Sequence, residues 1–259
     1  MLNRLPHFWI NRQCDTHRRI LAERYLAQHG IAHARVDAVT PETLPTISVR
    51  QPFTNSLPEL AIFSSHLAAV GAMFHADCEL GVIMEDDVRS LHVFDSAALI
   101  ASAPADWEIL QLHVSNLPVV LELGEMYFRH GMLWHEWEPS CFSAGAYLIN
   151  RRGAARLLSR YRPGGADIDL TGVHAYGKLV ADHLLYRRSV CYTATIPYFF
   201  NDISLQSTHA PHRDEAHHRP GATGVESVMR RIEQSARGGY PFALRSLAGS
   251  GQEPERAQA

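Results

Sequence analysis

Residues 81–89 have the sequence GVIMEDDVR, an apolar run that ends abruptly in three consecutive carboxylates. Together with Leu80, the apolar residues predict a short strand that is buried on both faces, as in the middle of a parallel sheet. In open α/β sheets, ligands bind in the crevice beyond the carboxyl ends of the strands. The three acids therefore mark a candidate ligand site at the end of a central strand.

The acids themselves favour a bound cation. If the chain stays extended, Glu85 and Asp87 point to one side of the sheet and Asp86 points to the other. Adjacent carboxylates repel one another unless a positive group neutralises them, and Mg²⁺ or Mn²⁺ with oxygen ligands is the commonest such group. The alternative is the first turn of a helix, where the helix dipole favours acidic side chains.

Size and composition limit the class of protein. The chain has 259 residues, 46% of them hydrophobic, which suffices for one large α/β domain or two small ones. A formal net charge of −3 argues against a dedicated nucleic-acid-binding protein. No stretch approaches the ~20 apolar residues of a membrane span and the amino terminus lacks a signal-peptide core, so we expect a soluble, cytoplasmic protein. The four cysteines form no C-x-x-C pair, which predicts free thiols.

A βαβ unit is predicted near the amino terminus. A strand at residues 7–10, a helix from residues 15 or 16 to Gly30 and a strand at residues 31–36 have the spacing of such a unit. Side chains near its opening loop have the chemistry to bind phosphate, because guanidinium groups bind phosphate in a bidentate manner. They are Asn11, Arg12, Arg18 and Arg19. For each arginine, a solvated helix face is the alternative.

A second helix is predicted after an irregular, proline-rich loop. Ser56 and Glu59 form a capping box, which marks the beginning of a helix. An apolar stripe at helical spacing follows, and Ser65 and His66 lie beside it. A single histidine on a helix is more often packed or solvated than bound to a ligand.

The middle of the chain alternates between strands and a poorly periodic segment. Residues 107–113 and 141–149 predict strands. The segment at residues 114–140 lacks a clear period, and its Trp134 and Trp137 suit either an acceptor-binding loop with sugar-stacking faces or a satellite core.

Residues 151–161 predict a helix that is capped by Asn150 and carries a row of arginines. An ordinary solvated face explains this pattern, and the alternative is peripheral contact with an anionic membrane at its inner face. Beyond it lie a second acidic group with Asp167 and Asp169, and then Asp182 before an apolar run. A strand at residues 190–196 ends at a proline.

Four histidines crowd a polar loop near the carboxyl end. Their spacing matches no standard zinc pattern, which favours a solvated loop over a zinc site. They are His209, His212, His217 and His218. The last residues, 236–259, are rich in Gly, Ser, Gln and Glu and predict a disordered tail.

Several segments together resemble one family. The sequence resembles the glycosyltransferase family 25 proteins, the lipooligosaccharide-type β-galactosyltransferases of bacteria, which are related to the collagen galactosyltransferases. The blocks that carry the resemblance span residues 8 to about 205 in the family's order. They are Trp9-Ile10-Asn11 with Arg18-Arg19, Phe63-Ser64-Ser65-His66-Leu67, Ile83-Met84-Glu85-Asp86-Asp87-Val88, Ala144-Gly145-Ala146-Tyr147-Leu148-Ile149 and Val180-Ala181-Asp182. The chain departs from the family pattern at Arg12, at Ile62-Phe63 and over residues 165–180.

The resemblance implies a fold and an activity. It implies a GT-A type, Rossmann-like α/β fold with a central, mostly parallel sheet flanked by helices. It implies one domain over residues 1–235, with a donor half at about 1–115 and an acceptor half at about 116–235. It further implies an inverting, metal-dependent hexosyltransferase of lipopolysaccharide biosynthesis. The donor would be a UDP-sugar carrying galactose or glucose, and the acceptor a glycan or lipid-linked oligosaccharide.

The resemblance also implies roles for individual residues. Glu85 and Asp87 would hold Mn²⁺ or Mg²⁺ against the donor diphosphate, while Asp86 would contact the ribose or brace the loop. Inversion requires a general base opposite the leaving group, for which we select Asp182, with Asp169 in reserve. A helix cap or an exposed acid is the alternative for either. The expected donor contacts are Asn11, Arg12, Arg19, Ser65 and His66.

Two other functions compete with transfer. A non-catalytic module that binds a nucleotide-sugar or carbohydrate would keep the fold without turnover. A metal-dependent phosphohydrolase would use the same acids, but the sequence has no D-x-D-x-[TV] pattern. Consumption of a nucleotide-sugar distinguishes the three functions.

Overall fold

A computed structural model of the chain describes residues 5–50, 54–90, 92–173, 180–205, 214–235 and 244–246. The strands are β1 (His7–Asn11), β2 (His33–Asp37), β3 (Ile47–Ser48), β4 (Leu80–Glu85), β5 (Val88–Ser90), β6 (His92–Phe94), β7 (Ile109–Gln111), β8 (Trp134–Glu136), β9 (Ala146–Asn150), β10 (Ile168–Asp169), β11 (Cys191–Ala194), β12 (Phe199–Asn201) and β13 (Leu244–Ser246). The α-helices are α1 (Thr16–Gln28), α2 (Leu57–His75), α3 (Ser96–Ser102), α4 (Leu117–His130), α5 (Arg151–Tyr161), α6 (Ala181–Tyr186) and α7 (Arg219–Ser235). A 3₁₀ turn covers Pro41–Thr43 and a π turn covers Asp214–His218.

A seven-stranded sheet with the order β2-β1-β4-β9-β7-β11-β8 forms the centre of the fold. Strand β1 is parallel to both β2 and β4, and β7 is parallel to β11. Strand β9 runs antiparallel to its neighbours β4 and β7, and β8 runs antiparallel to β11. The sheet is therefore mixed but mostly parallel, which confirms the expected α/β class.

The sheet separates two hydrophobic cores. Strand β4 contributes to both, because Val82 and Met84 pack in the core with α1, α4 and α7 while Ile83 packs in the core with α2 and α5. This confirms the prediction that residues 80–84 form a strand buried on both faces. Its carboxyl end, where the acids lie, is therefore fixed from both sides of the sheet.

Helix α2 is a core helix that begins as predicted. The backbone N–H of Ser56 donates to Glu59 Oε2 over 2.9 Å, and the reciprocal bond to the Ser56 side chain completes the capping box. Within the described residues, α2 is the one helix long and apolar enough to span a membrane by length and composition, a correction to our expectation that no stretch qualifies. Over half of that stretch is buried against the sheet and against α5 and α6.

The segment at residues 114–140, which lacks a clear period in the sequence, contains helix α4. Pro118 lies in its first turn, and Gly131 ends it in a left-handed conformation with a φ of 64°. The two tryptophans after it donate internal hydrogen bonds, Trp134 to Ser102 Oγ at 3.1 Å and Trp137 to the carbonyl oxygen of Cys141 at 3.3 Å. These contacts favour the satellite-core alternative.

Three arginines of α5 form ion pairs with acidic residues elsewhere in the protein. Glu108, with 2% of its surface exposed, accepts a hydrogen bond from Arg156 at 2.9 Å and forms an ion pair with Arg152 at 3.5 Å. Arg151 forms an ion pair with Asp77 at 3.0 Å. Helix α5 itself begins as predicted, because the Asn150 side chain accepts a hydrogen bond from the N–H of Gly153. Membrane contact through α5 stays a prediction.

The four cysteines are free thiols, as expected.

Two helical glycines should respond to alanine with opposite signs. A Cβ on Gly153 would lie 2.7 Å from the backbone oxygen of Glu108, whereas a Cβ on Gly71 would meet only the Leu158 side chain at 3.9 Å. We expect Gly153→Ala to lower the free energy of unfolding by about 1–3 kcal/mol. We expect Gly71→Ala to raise it by roughly 0.5–1 kcal/mol through helix propensity. Urea denaturation measures both, and equal effects would contradict the close approach of Gly153 to the backbone of Glu108.

His7 should make the free energy of unfolding decrease at acidic pH. His7 lies in β1 with 1% of its surface exposed, and burial lowers its pKa to about 4. As the pH falls from about 6.5 to 4, the unfolded chain binds a proton that the folded chain does not, so the free energy of unfolding decreases. We expect His7→Leu to flatten this decrease by up to about 1.4 kcal/mol per pH unit. Denaturation at several pH values, with the exposed His17→Leu as control, tests this.

Candidate active site

The acidic triplet lies at the carboxyl end of β4, where the strand gives way to a turn. Because the strand ends at Glu85, the alternation of side chains stops there. Arg18 donates to Asp86 Oδ1 at 2.6 Å and to Asp87 Oδ2 at 3.2 Å. Asp86 and Asp87 therefore share one partner, whereas strand alternation predicted opposite sides for them.

The amino-terminal βαβ unit supplies the groups around the triplet, but with a different arginine than expected. Asn11, at the end of β1, donates to Asp86 Oδ2 at 2.6 Å. Arg12 instead forms an ion pair with Asp15 at 2.7 Å, and Arg19 is partly exposed on α1. The arginine that contacts the acids is Arg18, with 9% of its surface exposed.

The buried face of α1 explains why Arg18 makes these contacts. Arg18 shares the buried face of α1 with Ala22 and Leu26, at four-residue spacing, whereas Ile20 is 48% exposed. The face of α1 that carries small and apolar residues therefore also carries the buried guanidinium of Arg18.

Glu85 and Asp87 interact electrostatically. Burial, followed by the charge of Glu85, raises the pKa of Asp87 to about 6. Burial acts against ionisation of Glu85 as well, but the hydrogen bond with His66 and the neighbouring histidines leave its pKa lowered. Among the buried side-chain atoms of the described residues, Asp87 Oδ1 and Asn11 Oδ1 have no hydrogen-bond partner. Two buried acceptor oxygens at this strand edge are therefore left without a hydrogen-bond partner.

The residues expected on α2 differ in where they point. His66 is fully buried, with Nε2 at 3.3 Å from Glu85 Oε1 and Nδ1 at 3.4 Å from the hydroxyl of Tyr147. Ser65 instead donates to the carbonyl oxygen of Ala61 at 2.8 Å and accepts from the N–H of Val39 at 2.8 Å. His66 thus contacts the triplet, while Ser65 holds the loop after β2.

The structure connects Asp182 to the triplet through one short segment. Asp182 lies in the first turn of α6 with 6% of its surface exposed, and its Oδ2 accepts from the N–H of Ser143 at 3.0 Å. Gly145 donates to Ser143 Oγ at 2.9 Å, and its carbonyl oxygen accepts from the N–H of Glu85 at 2.9 Å. Burial raises the pKa of Tyr186, and the charges of both Asp182 and Glu85 add to it.

Asp169 has a local role in the structure. It lies in β10, paired with β3, and its Oδ1 accepts from the N–H and the hydroxyl of Thr171 at 2.8 and 2.6 Å. These bonds hold a turn, a role that differs from the helix cap or exposed acid named as alternatives for this residue.

Two histidines near the triplet were missed as site residues. His113 follows β7 at the same edge of the sheet, and its Nδ1 lies 2.8 Å from Ser143 Oγ. The charge of His218 acts on both Glu85 and Asp87. A signal for His113 existed, because it ends a predicted strand of the same sheet. His209 and His212 lie outside the described residues.

The acids fit a hard divalent cation in one specific mode. Within the described ranges, no three His, Cys, Asp or Glu side chains converge on a common point as an all-protein metal site would require. Mg²⁺ commonly binds instead through one or two carboxylates, with water and substrate phosphate oxygens as the other ligands. Glu85 and Asp87, with the unpartnered Oδ1 of Asp87, match that mode.

Comparison with known proteins gives limited similarity. No family model and no curated protein matches the sequence. A mutant of Drosophila β-1,4-galactosyltransferase 7, solved with manganese, UDP-Gal and xylobiose, is 12% identical over 81% of this chain and 73% of its own, with a TM-score of 0.37. The apo form of mouse xyloside xylosyltransferase 1 is 13% identical over 60% of this chain and 58% of its own, with a TM-score of 0.32. TM-scores below 0.5 carry no weight for activity or substrate.

Proposed function

We propose that this protein is a metal-dependent, inverting glycosyltransferase of GT-A type and of family 25. It would transfer galactose or glucose from a UDP-sugar to a glycan or lipid-linked oligosaccharide. The observation that carries the proposal is the pair of neighbouring carboxylates at the carboxyl end of β4, Glu85 and Asp87, with an unpartnered oxygen on Asp87. The sequence blocks that resemble the family support it.

The donor would bind at the edge formed by β1 and β4. Glu85 and Asp87 would hold Mn²⁺ or Mg²⁺, which supplies positive charge for the departing diphosphate. Asn11 has a buried acceptor atom without a partner, suited to an N–H or O–H of the nucleotide. Arg12 and Arg19, the other predicted donor contacts, would bind phosphate. His66, in contact with Glu85, would orient that carboxylate.

Transfer requires a base on the acceptor side. The oxygen of an acceptor hydroxyl would attack the anomeric carbon as the bond from that carbon to the diphosphate oxygen breaks, and the hydroxyl proton would pass to a carboxylate. Asp182 is our candidate because the segment Ser143 to Gly145 ties it to Glu85. Asp169 stays in reserve.

The domain division and location follow from this proposal. The donor half, about residues 1–115, contains the cation-binding acids, and the acceptor half, about residues 116–235, contains Asp182. A lipid-linked acceptor would place the protein in the cytoplasm at the inner face of the membrane, with the arginines of α5 as the surface to test.

One observation favours a second candidate, a non-catalytic nucleotide-sugar-binding module. Arg18 already forms ion pairs with both Asp86 and Asp87, so these two acids have a structural partner without any cation. In that function the donor would bind without being consumed.

Nucleotide release tests the proposal. The protein would be incubated with a panel of UDP-, GDP- and CMP-sugars and Mn²⁺, with and without a chelator, and free nucleotide would be measured. We expect release from a UDP-hexose that the chelator abolishes. Binding without release indicates the binding module, and release of inorganic phosphate instead of nucleotide indicates a phosphohydrolase.

A further inference from the structure

Ser143 has an unusual backbone conformation. Its φ is 131°, and in the described part of the chain Asp77 is the other non-glycine residue with a positive φ. Asp77 follows the end of α2 at a φ of 57°, a left-handed conformation that is common after helices. Ser143 lies at no helix end, and residues with side chains rarely adopt its conformation unless the surroundings enforce it.

Four hydrogen bonds enforce this conformation. The hydroxyl of Ser143 pairs with His113 Nδ1 at 2.8 Å, and its Oγ accepts from the N–H of Gly145 at 2.9 Å. The carbonyl oxygen of Ser143 accepts from Gln111 Nε2 at 2.8 Å and from the hydroxyl of Tyr186 at 3.3 Å. The side chain and the carbonyl group of Ser143 are thus both held in place. Together they determine the direction in which its N–H points.

His113 is the rigid part of this arrangement. It has 2% of its surface exposed, and burial lowers its pKa to about 4, so it is neutral near pH 7. A neutral imidazole has one donor and one acceptor nitrogen. Since the N–H of Gly145 already donates to Ser143 Oγ, the hydroxyl proton is available to His113 Nδ1, and the other ring nitrogen serves the bond with Asn201.

The conformation directs a backbone N–H at Asp182. The N–H of Ser143 donates to Asp182 Oδ2 at 3.0 Å, and Oδ1 accepts from the N–H of His183 at 2.9 Å. Both carboxylate oxygens are therefore oriented by backbone groups. Because the carbonyl oxygen of Gly145 accepts from the N–H of Glu85, the same segment also fixes the carboxylate relative to the end of β4.

We propose that Ser143 is a positioning residue, locked by His113, which holds the Asp182 carboxylate in the orientation that receives the proton of the acceptor hydroxyl. The inference rests on the proposed transfer reaction and adds to it the device that orients the base. Ser143 itself forms and breaks no bond in the reaction.

A double-mutant cycle tests the proposal in the full-length protein. We expect Ser143→Ala to lower kcat for transfer by about 10- to 100-fold, the cost of a misplaced group, with the KM for the donor unchanged. In an Asp182→Asn background, Ser143→Ala should cause no further loss, because it acts through that carboxylate. A purely structural role would lower kcat by the same factor in both backgrounds.

Two substitutions of His113 test its hydrogen bond with Ser143. His113→Asn keeps a polar atom near the place of Nδ1, whereas His113→Gln moves it away, so we expect only His113→Gln to reproduce the loss caused by Ser143→Ala. Ser189→Ala is the matched control, since Ser189 lies three residues after the end of α6 and its Oγ donates to the carbonyl oxygen of Leu185 at 3.1 Å. This control should stay within about twofold of the wild type.

Each outcome decides the inference. If the wild type transfers sugar and Ser143→Ala has the same kcat as Ser189→Ala, the inference is wrong while the proposed function stands. The same holds if the losses of kcat from Ser143→Ala and Asp182→Asn are additive. A wild type that releases no nucleotide overturns the proposed function and the inference with it. Thermal unfolding verifies that each variant is folded, and Ser143→Gly, which adopts a φ of 131° without strain, replaces Ser143→Ala in the cycle if that variant does not fold.

Discussion

Asp87→Asn is expected to abolish nucleotide release while leaving the fold intact. The change removes one of the two carboxylates proposed to hold the cation, and with it the several kcal/mol that a Lewis acid contributes at the leaving group. We therefore expect kcat to fall by about 10³-fold or more. Release of UDP from the best donor, measured with saturating Mn²⁺, gives this value.

The same variant should be at least as stable as the wild type near pH 7. The folded-state pKa of Asp87, raised to about 6, lies above the unfolded value of 3.8, so ionisation costs stability as the pH rises through this interval. Asparagine removes that charge but keeps an acceptor for Arg18. We expect a gain of about 1–2 kcal/mol in the free energy of unfolding.

A matched control separates the two effects. Asp77→Asn removes another acid, one whose side chain is 88% exposed and which adopts a left-handed conformation that asparagine tolerates. It should change neither nucleotide release nor Mn²⁺-dependent stabilisation. A fully active Asp87→Asn enzyme would refute the cation site at the end of β4.

Asp182→Asn is expected to stop transfer while sparing donor binding. A positioned general base contributes about 10²- to 10⁴-fold, and asparagine cannot accept the hydroxyl proton. The amide oxygen still accepts one backbone N–H, so α6 should remain in place. We expect the dissociation constant for UDP with Mn²⁺, measured by calorimetry, to stay within about twofold of the wild-type value.

Asp169→Asn distinguishes the reserve candidate. Asp169 holds a turn through Thr171, so its replacement should cost stability locally and leave kcat within a few-fold. If Asp169→Asn stops transfer and Asp182→Asn does not, the assignment of the base is reversed. Loss of UDP binding in Asp182→Asn would instead indicate a role on the donor side.

The features that follow from neighbouring residues could be predicted from the sequence. The apolar run of β4, the capping box at Ser56 and the Asn150 cap of α5 depend on side chains a few positions apart. The position of the acids at the end of a central strand followed from the same local pattern. That part of the fold and of the site needed no knowledge of distant contacts.

The features that depend on distant partners could not be predicted. Helix α4 packs against α7, with Gly124 so close to Val228 that a Cβ would lie 2.8 Å from it, and neither helix had a periodicity that we recognised. Arg18 and Arg19 are adjacent in sequence but about 100° apart around α1, so the choice between them needs the position of the helix on the sheet.

The conformation of Ser143 also escaped sequence reasoning. Residues 141–149 predicted one continuous strand, but β9 begins only at Ala146. A positive φ is expected of glycine, and nothing in the sequence indicates that Ser143 adopts one. The hydrogen bonds that enforce it include distant ones, such as that with His113, which is 30 residues away along the chain.

The guanidinium of Arg18 between Asp86 and Asp87 has a consequence for biogenesis. A nascent chain that must bury several negative groups needs a counter-charge at the moment of collapse, and here that charge is encoded in the polypeptide. We therefore expect the chain to fold without added metal. In the proposed function, the ion would then bind reversibly to the folded protein.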